Sequence, residues 1–203
     1  MTTVKTIAEL EALYGTPKAP SLHKVSAQLT PEYRKLIETS PFCALATVGP
    51  EGADASPRGD QGQVVFELDT KTIAIPDRRG NDRIDSLRNI VRDGRVALMF
   101  LTPGSTMVTR INGMGEVSVS PDLLKRFEVK GKPPRSVIVI HIEEVYFQCA
   151  RAVMRAGLWR AENWPDIDAV PTAGQILAAQ TDGKVGGASY DKEWPERAQK
   201  TLW

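Results

Sequence analysis

Cysteine is scarce in this chain: Cys43 and Cys149 are the only two in 203 residues. Both sit in apolar, strand-like sequence. Two thiols without a C-x-x-C make no disulfide framework, so both are expected to be buried, reduced and structural. Histidine is equally rare, and His23 and His141 lie far apart without the spacing of a metal site. A basic excess is also missing. The 26 basic and 25 acidic residues leave a formal net charge of +1, which argues against a dedicated nucleic-acid binder. No apolar run approaches the roughly 20 residues that cross a bilayer. The longest lies around Val137–Ile142. The N-terminal MTTVKTIAELEALYG carries no signal-peptide core, so the chain is expected to be cytoplasmic. G-x-S-x-G, Walker A and G-x-G-x-x-G motifs are absent as well. With no nucleophile–base dyad in view, chemistry has to come from a cofactor, and catalytic residues stay unassigned.

What is present is a run of short β-rich segments. Thr6-Ile7-Ala8-Glu9 is a capping box that opens a first helix, and Thr30-Pro31 opens a second with Tyr33, Leu36 and Ile37 as its stripe. From Phe42 the period changes to that of strands. Phe42–Val48, Ala53–Ser56, Val64–Leu68, Thr72–Ile75, Val96–Leu101, Thr106–Ile111, Gly113–Val119 and Ser136–Gln148 read as strands separated by turn residues. Asn81 is expected to cap a helix to about Asp93, with Ile84, Leu87 and Val91 on its apolar face. Short helices are expected after Ser120 and after Thr172. From Asp182 the sequence is polar and glycine-rich, as mobile chain is. Many short strands with few helices point to a closed or split antiparallel barrel.

Two segments concentrate unusual chemistry at strand ends. Ser56-Pro57-Arg58-Gly59 combines a fixed torsion, a permissive one and a planar fork of donors. Taken alone it reads more simply as a surface turn with a solvated arginine. Pro76-Asp77-Arg78-Arg79-Gly80-Asn81 leads into the expected helix, with Arg83 in the first turn. Cations there oppose the helix dipole, and a bound phosphate would offset the conflict. The alternative is a charged loop neutralised by Asp77, Asp82 and Asp85, and these residues by themselves leave both readings open. Arg110 lies in β-rich sequence. Arg155 and Trp159 form a basic–aromatic pair whose indole could stack on a flat ring, although such a tryptophan more often simply packs.

Three segments in order resemble the flavin-binding split-barrel superfamily of pyridoxamine 5′-phosphate oxidase-like proteins. They are Ser56–Asp60 (SPRGD), Pro76–Ile90 (PDRRGNDRIDSLRNI), and Phe147-Gln148-Cys149 through Arg155 to Leu158-Trp159. The match runs from about Pro41 to Trp164. The resemblance implies a mainly β fold with flanking helices, a six-stranded antiparallel split β-barrel. It implies a homodimer with FMN in a groove at the subunit interface. Cofactor-binding candidates are Ser56, Arg58, Gly59, Asp77, Arg78, Arg79, Gly80, Asn81, Arg83, Ser86 and Asn89, with Arg110, Arg155 and Trp159 from the other subunit. True pyridoxamine phosphate oxidases carry their own substrate residues and C-terminal segment, which this chain lacks, so the vitamin substrate does not follow.

The expected organisation is a helical extension at 1–40, a flavin-binding barrel at 41–164, and a C-terminal helix and tail at 165–203 packed on the same domain. The expected function is an FMN-dependent oxidoreductase of a small molecule, acting on neither nucleic acid nor membrane. The rivals are a non-catalytic flavin carrier and a deazaflavin-dependent reductase. Haem, which some relatives bind, draws little support from two scattered histidines.

Overall fold

The strand-like segments assemble into one antiparallel sheet. Its strands are β1 (Phe42–Gly49), β2 (Gly52–Gly59), β3 (Phe66–Asp69), β4 (Thr72–Pro76), β5 (Arg95–Leu101), β6 (Val108–Ser118) and β7 (Val137–Gln148), in the order β2-β1-β5-β6-β7-β4-β3. The computed structural model describes residues 2–202. The sheet does not close: β2 is one edge and β3 the other, so the barrel is split between them. The mainly β class with flanking helices is as expected. The strand count is seven rather than six, because the four-residue β3 adds an edge.

Alternation along β1 and β5 decides where the core sits. Cys43, Leu45 and Thr47 face inward with Val96, Leu98 and Phe100, and Ile111, Ile140 and Val145 complete the cluster. Burying a side chain such as Leu45 or Phe100 stabilises the fold by about 1.5–3 kcal/mol. Asn112 and Gly113 were expected to separate two strands. Instead β6 is continuous, and the bulge lies on β7, where Glu143 is the extra residue between Glu144 opposite Asn112 and Ile142 opposite Gly113. Gly113 is required at that point, since a Cβ would lie 2.1 Å from the His141 carbonyl oxygen.

Among the described residues eight α-helices flank the sheet: α1 (Ile7–Leu13), α2 (Ala19–His23), α3 (Pro31–Glu38), α4 (Asp85–Arg92), α5 (Pro121–Arg126), α6 (Arg151–Ala156), α7 (Ala173–Gln180) and α8 (Gly187–Lys200). The α1 capping box forms as expected, and Thr30 caps α3 through the Tyr33 amide. Tyr33 and Ile37 of α3 enter the main core, whereas α1 buries nothing. The stretch 16–28 carries α2. One expectation needs correcting here. The segment after Asp182 is ordered as the 14-residue α8, which packs on α7 through an Asp191 carboxylate that accepts from the Gly174 amide at 2.8 Å. No helix among the described residues is long and apolar enough to cross a membrane.

The helix after the second motif also differs from expectation. It starts at Asp85, not at Asn81, and Ile84 occupies the N-cap in a left-handed conformation with φ +54°. Its buried residues are Ser86, Asn89 and Ile90, with Leu87 partly buried against the core. Ile84 is 47% exposed and Val91 75%. Apolar spacing misled because half of the buried face is polar. Ser86 donates to Asp54 of β2 at 2.6 Å, and Asn89 donates to Thr47 of β1 at 3.1 Å. Buried polar groups satisfied in this way replace the apolar contacts that a periodicity argument looks for.

Candidate functional site

The split between the sheet's two ends is where the chain's two unusual segments meet. Directly opposed residues in an antiparallel pair point to the same face. Ser56 opposes Leu45 and Arg58 opposes Cys43, so both face the interior rather than solvent. Pro57 on the same strand is tolerated because β2 is an edge. Across the gap, β4 ends at Pro76 and the chain continues as the irregular segment 77–84.

Two crossed ion pairs bridge this gap. Arg58 of β2 donates to Asp77 at 2.6 Å, and Arg78 donates to Asp60 at 2.9 Å. Their side chains are only 17% and 17%, and 15% and 9%, exposed. Arg78 also donates to the Phe127 carbonyl at 2.6 Å, which ties the seam to the end of α5. The arginine pairs therefore hold the edge strand β2 to the chain leaving β4, two strands that no backbone ladder joins.

A cavity of about 520 Å³ lies against this seam. Ser56, Arg58, Gly59, Asp77, Arg78, Arg79, Gly80 and Asn81 all line it, so eight of the sequence-derived candidates converge on one place. Val64, Ile75 and Leu87 supply an apolar wall. The charge is not fully matched. Arg58 pairs with Asp77, Arg78 with Asp60, and Arg135 with Asp82 at 2.7 Å. Arg79 makes no ion pair or side-chain hydrogen bond among the described residues. The Arg58 Nε is buried and has no hydrogen-bond partner among them either. An unpartnered buried donor costs about 1–3 kcal/mol, so a group that accepts from it would be stabilised there. The rim is strained as well. Asp82 and Ile84 both hold positive φ, of 60° and 54°, and left-handed backbone is unfavourable for a β-branched residue.

The remaining candidates lie elsewhere. Arg83 precedes α4, pairs with Asp85 at 2.8 Å, and lines a separate recess with Arg88 and Arg92. Ser86 and Asn89 are committed to Asp54 and Thr47 beneath α4. Arg110 lies 5.2 Å from the Tyr146 ring on the face of β6 opposite the core. Arg155 is exposed on α6, and the Trp159 Nε1 donates to the Ser105 carbonyl at 2.6 Å. None of these six reaches the cavity within one chain. Conversely, Asp60, Ile84, Leu87 and Arg135 line it without having been proposed. Asp60 lay inside the SPRGD segment and could have been found there. Arg135 belongs to the basic run Lys130-Gly131-Lys132-Pro133-Pro134-Arg135, whose signal was visible but unplaced.

The cysteines part company. Cys43 is buried, and burial pushes its thiol up to about 12 against a smaller opposing pull from Arg58. Cys149 is exposed, contrary to expectation. It follows the last residue of β7, where alternation no longer applies.

The sequence model of the pyridoxamine 5′-phosphate oxidase family matches residues 29–149, which includes the whole seam. The chain belongs to that family. Members of it are flavin-binding oxidoreductase-like proteins, and residues 150–202, with α6 to α8, lie beyond the match. None of the curated proteins compared with the chain matches it. Among solved structures it is similar to a Lactobacillus delbrueckii protein assigned to the pyridoxamine 5′-phosphate oxidases. Identity there is 26% over 60% of this chain and 95% of that one, with a TM-score of 0.49. HupZ of Group A Streptococcus gives 22% over 59% and 93%, with a TM-score of 0.48. A Listeria innocua protein of the same assignment gives 16% over 57% and 94%, with a TM-score of 0.45. At these scores the likeness carries no argument about ligand or activity.

Proposed function

We propose that this family member is an FMN-dependent oxidoreductase of a small molecule and works as a homodimer. The observation that carries the reading is the cavity at the seam. Its 520 Å³ falls within the range of cofactor and small-molecule sites. It offers an orphaned guanidinium donor at Arg58, an uncompensated cation at Arg79, and an apolar wall. A ligand with an anionic end and a flat, partly apolar body fits that donor set. FMN, when bound, supplies two-electron transfer to or from a substrate.

The chain's own residues then have definite tasks. Arg79 attracts and holds an anion, because no carboxylate neutralises it. Arg58, fixed by Asp77, keeps one donor directed at whatever enters the cavity. A fixed donor in a partly buried setting favours negative charge developing on a bound group without reorganising. Arg78 holds Gly59 and the 77–84 segment in register through Asp60 and Phe127. Val64, Ile75 and Leu87 exclude water from one side. No histidine lines the cavity, which disfavours haem there.

The outer face of the sheet supports the dimer. On β1 it carries Phe42, Ala44, Ala46 and Val48, on β5 Ala97, Met99 and Leu101, and on β2 Ala53, Ala55 and Pro57. An antiparallel sheet facing water normally alternates apolar-in with polar-out. Apolar residues on both faces call for a cover, and a second copy applied here would meet the same small side chains. Arg110 lies on this outer face, so it enters a site only across such an interface. Light scattering should give a dimer at micromolar concentration.

The test is the absorbance spectrum of the purified protein with mass analysis of the released cofactor, followed by stopped-flow reduction with NADH and NADPH. Stoichiometric FMN that is reduced and reoxidised by turnover supports the proposal. A deazaflavin spectrum, or FMN that no donor reduces, gives the place to the reductase or carrier readings.

A further inference from the structure

A second recess, of about 440 Å³, adjoins the cofactor cavity and shares Gly59, Asp60 and Arg78 with it. The Arg78–Asp60 pair therefore stands in the wall between the two. Gln61 and Leu202 complete the lining among the described residues. Leu202 comes from past the end of α8, far beyond the family match, which stops at residue 149.

The chemistry differs from that of the first cavity. Arg78 is engaged by the Asp60 carboxylate and the Phe127 carbonyl, so the cation and the anion of this recess compensate each other. Arg58, with its orphaned Nε, and Arg79 line the first cavity and not this one. Gln61 adds a neutral amide and Leu202 an apolar surface. Small-molecule sites have this size, and combine apolar walls with a few polar groups that fix orientation. An ionised ligand would give up hydration here with no free charge to receive it.

Leu202 is delivered by a built element. The Asp191 carboxylate of α8 accepts from the Thr172 hydroxyl at 2.5 Å and from the Gly174 amide at 2.8 Å, which fastens α8 to the start of α7. The backbones meet closely there, since a Cβ on Gly186 would lie 2.5 Å from the Gly174 carbonyl oxygen. Along α8, Arg197 lies 5.0 Å from the Tyr190 ring and 5.3 Å from the Trp194 ring. The Thr201 hydroxyl donates to the Arg197 carbonyl at 2.8 Å and closes the last turn. Leu202 follows directly and stays 52% exposed, so about half of its side chain is open to a ligand. No residue of α8 is buried, so substitutions at its end leave the core untouched.

We propose that this recess takes the substrate of the reaction as an uncharged, largely apolar small molecule beside the cofactor, and that Leu202 is the side chain it packs against. The proposal rests on the function given above and adds to it the class of substrate and a specificity-determining residue.

The experiment uses the full chain loaded with FMN, with benzamide as an uncharged probe and benzoate as its anionic counterpart of nearly the same shape. Binding is read by calorimetry and by perturbation of the flavin absorbance. Benzamide should saturate without releasing FMN, and benzoate should bind at least about tenfold more weakly. Leu202→Ala should weaken benzamide about fivefold, as loss of a half-covered leucine side chain does, and Leu202→Asp should weaken it further. Leu202→Met should retain most of the binding, and FMN affinity should stay within about twofold in all three variants. Menadione, an uncharged quinone, takes two electrons and two protons from reduced FMN and leaves as the hydroquinone. Its KM should rise about fivefold in Leu202→Ala. Release of FMN by benzamide would overturn the proposal, because the recess would then be part of the cofactor cavity. Benzoate binding as tightly as benzamide would overturn the uncharged class. Unchanged benzamide affinity in Leu202→Asp would overturn the role of Leu202, and a menadione KM that does not move would overturn the recess as the place of the substrate. Should the protein bind no flavin, the function fails separately, and calorimetry of benzamide on the flavin-free chain still reads the recess.

Discussion

The wall of the sheet and its seam are held by opposite means. Along β1, β5, β6 and β7 every neighbour is joined by a backbone ladder over a core of Leu45, Leu98, Phe100 and Ile111. At the seam no ladder joins β2 to β4, and Arg58–Asp77 and Arg78–Asp60 take its place. The difference teaches where a ligand fits. A ladder leaves no space between strands. Side-chain ion pairs span a gap and leave a cavity beside them, already lined with donors. Removing one partner of such a pair leaves a poorly solvated charge, so the seam is both a fastening and a liability.

Substitutions separate these two modes. The largest loss is expected in the wall: Phe100→Ala should cost about 3–5 kcal/mol in denaturant unfolding, the range for a buried aromatic truncated in place. Asp77→Ala at the seam should cost less, about 3 kcal/mol. That is the bottom of the range for a broken buried pair, because both partners keep 17% exposure. If Asp77→Ala proved as stable as wild type, the seam would be ornamental and the comparison would fail.

Cys43 probes the wall by pH. Its thiol ordinarily titrates near 9.0 and is pushed up to about 12 by burial. A folded value raised above the unfolded one means stability is fully present below pH 9 and lost as pH rises. The slope should be about 1.4 kcal/mol per unit above roughly pH 9. Cys43→Ala should abolish this contribution. In native protein at pH 8 a thiol reagent should modify Cys149 alone, and after denaturation both. The smallest effect is expected at Arg83→Ala. Its partner Asp85 is two residues away and the arginine side chain is 75% exposed, so stability should shift by less than about 0.5 kcal/mol.

Much of this was legible in the sequence, and the misses have physical causes. Strands showed through alternation, and the turn residues between them separated β1 from β2 and β3 from β4. The convergence of Ser56–Gly59 with Asp77–Asn81 was visible as donors at two strand ends. Three features hid. The buried α4 face mixes Ser86 and Asn89 with Ile90, so Ile84 and Val91 drew the periodicity to the wrong side. Asn81 looks like a cap, but Asp82 and Ile84 in left-handed backbone delay the helix to Asp85. Arg135 is distant in sequence and reaches the cavity only because β7 pairs with β4, bringing Val137 opposite Pro76. Long-range pairing of that kind is not encoded in any local window.

The most direct test of the central claim compares FMN with riboflavin, which lacks the phosphate, on wild type and Arg79→Ala. Both ligands are titrated by flavin fluorescence at equilibrium. The account predicts that wild type binds FMN, and that Arg79→Ala weakens FMN by at least about tenfold while changing riboflavin by less than twofold. Equal losses for the two ligands, or no loss for either, would contradict an anion-binding role for Arg79 at the seam.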